Sequence, residues 1–233
     1  MESIDKIDGT FGKRPAEHKT TVPSAVIRRL PRYHRCLGEL LRADKLRISS
    51  AELAKIMDVT ASQIRQDLNC FGGFGQQGYG YNVKFLYNKI SELLGVDEGF
   101  NAVIIGAGKL GRALAATHMF ERRGVNRLAM FDTDPAVIGT KIYDVPVYSV
   151  AELGDFCRTH NVHIGVLTVP KEAAYEVAEV IIEAGVKGIW NFANMELRLD
   201  NSDVVVENIH LGDSLMALCY EIKTVNEKRL NND

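Results

Sequence analysis

The spacing of apolar residues changes period near position 100, and the change divides the chain. Before it, apolar side chains recur every three or four residues. After Pro31, Tyr33, Cys36, Leu37, Leu40 and Leu41 trace one buried face of a helix. Ser49-Ser50-Ala51-Glu52 predicts a capping box opening a second helix, whose apolar side is Ala51, Leu53, Ala54, Ile56 and Met57. A break at Asp58-Val59 leads to Thr60-Ala61-Ser62-Gln63, a second predicted capping box, and a third helix with Ile64 and Leu68 turned inward. Two helices joined by so short a turn must cross steeply, which predicts a helix-turn-helix. Phe71 to Tyr81 hold five glycines and predict a β-hairpin wing. A further helix from about Asn82 to Leu94 and a polar linker from Gly95 to Gly99 complete this part.

From Phe100 onward, short apolar runs alternate with amphipathic stretches, as in βαβ units around a parallel sheet. Strands are predicted at Ala102 to Ile105, Arg127 to Phe131, Ile164 to Thr168, Gly188 to Phe192 and Val204 to Val206. Helices are predicted at about Lys109 to Arg122, Ala151 to His160, Lys171 to Ala184 and Asp213 to Lys228. The expected fold class is α/β: a mostly helical winged helix-turn-helix at 22–95, a doubly wound parallel sheet at 100–208 and a terminal helix at 209–229. Residues 1–21 are polar and aperiodic and read as a mobile tail.

Charge sharpens this division. The net charge of -2 hides an uneven distribution, because residues 13–90 carry 14 Lys/Arg against 6 Asp/Glu and the remainder is acidic. A basic end points to a polyanionic partner. The third helix leaves Ser62, Gln63, Arg65, Gln66 and Asn69 opposite its apolar side, a set able to meet base edges and phosphates of duplex DNA. Its N-terminal residues are those a helix-turn-helix presents to the major groove. Arg29, Arg32, Tyr33 and Ser50 are expected nearer the DNA backbone, with Gly78 and Tyr79 in the wing. The four cysteines are widely separated and the histidines lack metal-ligand spacing, so no metal site is expected. No apolar run reaches membrane-spanning length and no signal peptide is evident, so a cytoplasmic protein without membrane contact is expected.

Gly106-Ala107-Gly108-Lys109-Leu110-Gly111 is a G-x-G-x-x-G run directly after the predicted strand Val103-Ile104-Ile105 and before a helix. That context is the dinucleotide fingerprint of a Rossmann fold: a tight turn, a close backbone approach to pyrophosphate, and close helix-strand packing. Asp132 follows Gly111 by 21 residues and ends the second predicted strand, where a carboxylate holds the adenosine ribose hydroxyls. It would repel a 2'-phosphate, so NAD(H) is favoured over NADP(H). Thr168-Val169-Pro170 and Asn191 lie at later strand ends, positions that face a cofactor or simply pack as loops.

One Rossmann unit and a terminal helix use nearly all of residues 100–233, leaving no room for a substrate domain. A sensor rather than an enzyme is expected. The alternatives are a small NAD-dependent oxidoreductase with a basic oligomerisation arm, and a regulator reading a CoA-type or adenosine ligand.

Over residues 22–228 the chain resembles the Rex family of redox-sensing transcriptional repressors. The resemblance is carried by Arg29-Leu30-Pro31-Arg32-Tyr33, Ser49 to Ala54, Gln63 to Leu68, the Phe71-to-Tyr81 wing and the glycine fingerprint with Phe131-Asp132. It implies a homodimer that holds palindromic operator DNA with NAD+ or no ligand and releases it when NADH rises. It also implies a C-terminal helix exchanged between subunits, packed beside the partner's N-terminal domain. Leu215, Leu218, Cys219, Ile222 and Val225 form an apolar stripe on that helix; packing on its own Rossmann domain is the alternative. The chain departs from the family's pattern at Gln76-Gln77, where a basic pair is typical, and at His210, where an acid is typical.

Overall fold

The structure is a computed structural model that describes residues 22–70, 75–76, 80–199 and 203–230. The predicted tail at 1–21 and the wing residues Gly78 and Tyr79 lie outside the described residues. The chain separates into two compact units, the first ending at Leu94 and the second beginning at Gly95.

The first unit contains α1 (Ser24–Ile27), α2 (Leu30–Arg42), β1 (Arg47–Ile48), α3 (Ser50–Met57), α4 (Ala61–Asn69), β2 (Gly75–Gln76), β3 (Gly80–Asn82) and α5 (Val83–Leu94). Tyr33 and Leu37 of α2, Leu53 of α3, Ile64 and Leu68 of α4, and Leu86 and Ile90 of α5 are all fully buried in one core. Those of α2, α3 and α4 are positions that the helical spacing selected, because residues three and four apart share a face, whereas Ile56 of α3, also selected, is 52% exposed. Strands β2 and β3 pair antiparallel, and β3 also pairs with β1, which adds a third strand that the pattern did not predict. Two residues are too few to carry an alternation signal.

The two predicted caps differ. At Ser49 the box is complete: its hydroxyl accepts from the Glu52 amide at 3.1 Å and the Glu52 carboxylate accepts from the Ser49 amide at 2.8 Å. At Thr60 only half exists, since Thr60 accepts from the Gln63 amide at 3.1 Å while the Gln63 side chain turns to Asp67 instead. The charge-assisted bond from the amide NH2 to the Asp67 carboxylate draws the side chain along the helix, away from the Thr60 amide it would otherwise accept from.

The second unit is built on one sheet. Its elements are β4 (Phe100–Ile105), α6 (Lys109–Ala115), β5 (Val125–Asp132), β6 (Lys141–Ile142), β7 (Val145–Ser149), α7 (Leu153–Thr159), β8 (Ile164–Leu167), α8 (Lys171–Glu183), β9 (Gly188–Asn191), β10 (Val205–Asn208) and α9 (Leu211–Leu230). The order is β10-β9-β8-β4-β5-β7-β6, parallel throughout except for β6. Val103 and Ile105 point to the side of α7 and α8, packing in a cluster with Leu153, Cys157, Ala178 and Ile181. Ile104 points the other way, into a cluster with Ala115, Phe120, Met130 and Val166. Burial on both faces explains why the strands read as unbroken apolar runs.

Two expectations for this unit are corrected. The first helix was expected to reach Arg122, but α6 stops at Ala115 and only a short 3-10 turn, Glu121–Arg123, follows. Arg127 donates to the Ala115 carbonyl and the Thr117 hydroxyl to that of Leu114, at 2.9 Å for the latter, so the acceptors of the next turn are taken. The hairpin β6–β7 was not anticipated. It turns through Tyr143 and Asp144, both with positive φ, and Pro146 masks the alternation of Val145 and Val147.

Candidate nucleotide-binding site and nucleic-acid interface

The glycine run lies where β4 turns into α6, and neighbouring strands hold it there. Gly106 has φ +103, and a Cβ there would come within 2.6 Å of the Thr168 carbonyl oxygen. Its amide donates to the Phe131 carbonyl at 2.8 Å. Gly111 is packed so tightly that a Cβ would stand 1.9 Å from the Gly106 oxygen. Gly108 is the opposite case, because a Cβ there meets nothing within 4 Å. It caps α6 without any side-chain hydrogen bond, so the first-turn amides at Lys109 and Leu110 are offered outward. Gly106 and Gly111 are thus small for packing, whereas Gly108 borders open space and has no packing reason to be small.

Asp132 ends β5 beside this loop. Its Oδ2 accepts from the Ala107 amide at 2.6 Å and its Oδ1 from the Asp134 amide at 2.9 Å. Each oxygen keeps acceptor capacity, which suits two ribose hydroxyls and opposes a phosphate. Bare first-turn amides, open space at Gly108 and a carboxylate at the next strand end fit a dinucleotide. Arg112, which sequence reasoning missed, donates to the Ala107 carbonyl at 2.7 Å and braces the loop from within α6. An arginine in an amphipathic helix carries no signal that marks it for this task.

At the later strand ends the side chains bond and pack within the fold, one of the two alternatives expected there. The Thr168 hydroxyl faces the Ile105 and Gly106 carbonyls at 2.9 and 2.8 Å, stapling β8 to the glycine turn. Val169 packs against the α7 and α8 side of the core, and Pro170, exposed, caps α8. Asn191 is corrected as a direct cofactor contact through its side chain. It is fully buried, with Nδ2 donating to the Met195 carbonyl and Asn208 Oδ1 and with Oδ1 accepting from the Ala193 amide. Every polar atom is committed to shaping the loop after β9.

In the first unit, α4 exposes Ser62, Arg65 and Gln66 and half-exposes Gln63. Arg65 Nη1 donates to the Ser50 hydroxyl at 3.2 Å, joining the starts of α3 and α4, while Arg32 is exposed on α2. Tyr33 is corrected as a DNA contact: it is fully buried and its hydroxyl donates to Asp67 Oδ2 at 2.9 Å. Burial, and then that bond, push its phenol well above the ordinary range. Arg29 forks onto the same carboxylate with two bonds of 2.7 Å and is only partly exposed. Burial raises the Asp67 acid, but the bonds from Arg29, Gln63 and Tyr33 outweigh it and hold the group below its usual value. Asp67 was missed because it interrupts the inward stripe of Ile64 and Leu68, where a charge reads as an exception. That exception was the available signal.

Among the described residues, no three His, Cys, Asp or Glu side chains gather as a metal site would require. No described helix is long and apolar enough to cross a membrane.

A three-stranded winged helix-turn-helix unit and a dinucleotide-type cradle on a parallel sheet together define a nucleotide-responsive DNA-binding regulator. Comparison with known proteins is specific. Residues 21–69 match the family described as "Putative DNA-binding protein N-terminus" and residues 97–195 match "CoA binding domain". The redox-sensing transcriptional repressor Rex of Caldanaerobacter subterraneus subsp. tengcongensis is 51% identical over 212 residues, covering 91% of this chain and 93% of the relative. Rex of Clostridium perfringens is 50% identical over 204 residues, covering 88% and 96%. The chain belongs to the Rex family of redox-sensing transcriptional repressors, and these relatives are named as repressors rather than enzymes. A crystal structure of RSP in complex with beta-NAD+ and operator DNA matches with a TM-score of 0.83 at 50% identity, covering 92% of this chain and 99% of that one. RSP in complex with beta-NADH matches at 0.81 and 49%, covering 91% and 98%.

Proposed function

We propose that this chain represses transcription as a homodimer that grips a palindromic operator through α4 and lets go when NADH occupies the cradle around Gly108. The observation that carries the reading is the pairing, in one chain, of a polar recognition helix with a dinucleotide cradle closed by Asp132. RSP, about half identical, has been crystallised with beta-NAD+ and operator DNA and with beta-NADH, which supports both ligands. The base and phosphate contacts are assigned to Ser62, Gln63, Arg65 and Gln66, with Arg29, Arg32 and Ser50 behind them. Reading chromosomal DNA puts the protein in the cytoplasm.

The "CoA binding domain" match describes a fold shared with this unit. Coenzyme A carries a phosphate on its ribose, and the Asp132 carboxylate opposes one there, so an unphosphorylated ribose fits better. Asp132→Ala should weaken NADH binding and relax the rejection of NADPH, both readable by calorimetry. Equal affinities before and after would remove the ribose role.

The terminal helix supports a dimer. On α9, Leu211, Leu215, Leu218, Ile222 and Val225 are between 47 and 64% exposed, and their spacings of four, three, four and three form one apolar seam. Such a seam needs a partner surface. On the α6 side of the sheet an apolar groove of about 530 Å³, lined by Met119, Phe120, Val125, Ile164, Trp190 and Val205, offers matching chemistry. We assign α9 to exchange between two copies.

Shifting a two-state dimer from operator-competent to released needs about 10⁴-fold differential affinity, roughly 5.5 kcal/mol over both ligands. Reduced and oxidised rings differ by one positive charge, so a neutral pocket separates them. The test is fluorescence anisotropy of a palindromic duplex selected from a randomised library, titrated with NADH against NAD+. Release by NADH at concentrations where NAD+ leaves the complex intact is expected, and DNA should in turn weaken NADH binding. Equal effects of the two coenzymes would reject the sensor.

A further inference from the structure

A glutamine amide has one donor end and one acceptor end, and either can face outward. On α4 the choice is made from beneath. Asp67, one turn after Gln63 and 1% exposed, receives Gln63 Nε2 at 2.6 Å and Arg29 Nη2 at 2.7 Å on Oδ1. Its Oδ2 receives Arg29 Nε at 2.7 Å and the Tyr33 hydroxyl at 2.9 Å. A carboxylate so bonded is an acceptor only. Turning the Gln63 amide over would press two lone-pair oxygens together at hydrogen-bond distance. The NH2 therefore faces inward, and Oε1, on the other arm of the planar amide, accepts from no donor among the described residues.

Gln63 is the third residue of α4, within the N-terminal stretch that a recognition helix brings to base edges. We infer that Gln63 reads the operator as a hydrogen-bond acceptor, so each half-site sets an exocyclic amine, adenine N6 or cytosine N4, against its Oε1. Guanine O6 and thymine O4, both acceptors, are excluded from that place. Asp67 is the positioning residue: it touches no base and fixes which end of Gln63 does. The inference rests on α4 being the helix that enters the duplex.

The experiment uses the full chain and a palindromic duplex that it selects from a randomised library. Single exocyclic amines are then deleted in turn from both half-sites, adenine replaced by purine and cytosine by pyrimidin-2-one; the two series tell which base supplies the amine. One deletion should weaken the wild-type protein about tenfold. Gln63→Ala, a change at a half-exposed surface position, should show that loss on the intact duplex and no response to the same deletion. Asp67→Asn lets the amide present either end, so the ratio of its affinities for the amine-bearing duplex and the keto counterpart, both measured on this one variant after circular dichroism shows it folded, should fall towards one. A deletion response that persists in Gln63→Ala, or a wild-type protein indifferent to every deletion, overturns the inference. If Gln63→Ala and Arg65→Ala both leave affinity and selectivity unchanged, α4 is not the reader, which removes the proposed DNA interface along with the inference.

Discussion

Alanine at position 111 should strongly destabilise the second unit, whereas alanine at position 108 should leave it as stable as before and unable to hold a dinucleotide. The two glycines are three residues apart in one motif, yet their surroundings differ completely. At Gly111 the new methyl would stand 1.9 Å from the Gly106 oxygen, a backbone atom that cannot swing aside. Opening that contact means parting α6 from the β4 turn, at a cost of about 3 kcal/mol or more. At Gly108 the backbone has φ -73 and an extended ψ, which alanine adopts without strain, and the methyl enters open space. Thermal stability should be unchanged or slightly raised. The methyl does occupy the approach of the pyrophosphate, so NADH affinity should fall about 100-fold, the equivalent of roughly 3 kcal/mol. Thermal unfolding by circular dichroism and NADH calorimetry read the two effects separately. A Gly111→Ala protein with undiminished thermal stability, or undiminished NADH binding by Gly108→Ala, would contradict this division of labour.

Charges on the terminal helix should have the second large effect. Leu215 is 61% and Ile222 52% exposed in the single chain, so Leu215→Glu with Ile222→Glu costs a monomer almost nothing. In a dimer that buries the seam, each glutamate would lose several kcal/mol of apolar burial and bring an unpaired charge. Sedimentation at micromolar concentration should report a monomer. Because a palindrome is held through two linked half-sites, operator affinity should fall by about 10² to 10⁴ with α4 untouched. Dimers of the double variant that still bind the operator normally would exclude exchange through this seam.

Much of this protein was readable along the chain, and the reasons are local. Ser49 and Glu52 close their cap within four residues, and the glycine run needs only its own spacing between a strand and a helix. Asn191 and Tyr33 were misjudged because each meets its partners across the fold: Asn208 for one and Asp67 for the other. A polar residue at a strand end or beside a basic run looks exposed until the packing that buries it is known. The length of α6 was misjudged for the same reason, since the arginine that takes its last carbonyl lies on β5.

The sequence by itself determined the two units, the dinucleotide fingerprint and the helix-turn-helix, because each rests on periodicity and turn chemistry within a few residues. Only the tertiary structure decided which polar groups remain free to touch a ligand. Hydrogen bonds between distant residues, such as those that converge on Asp67 and Asn191, form once the chain has closed, and they withdraw Tyr33 and the Asn191 side chain from the surface while fixing the direction in which Gln63 points.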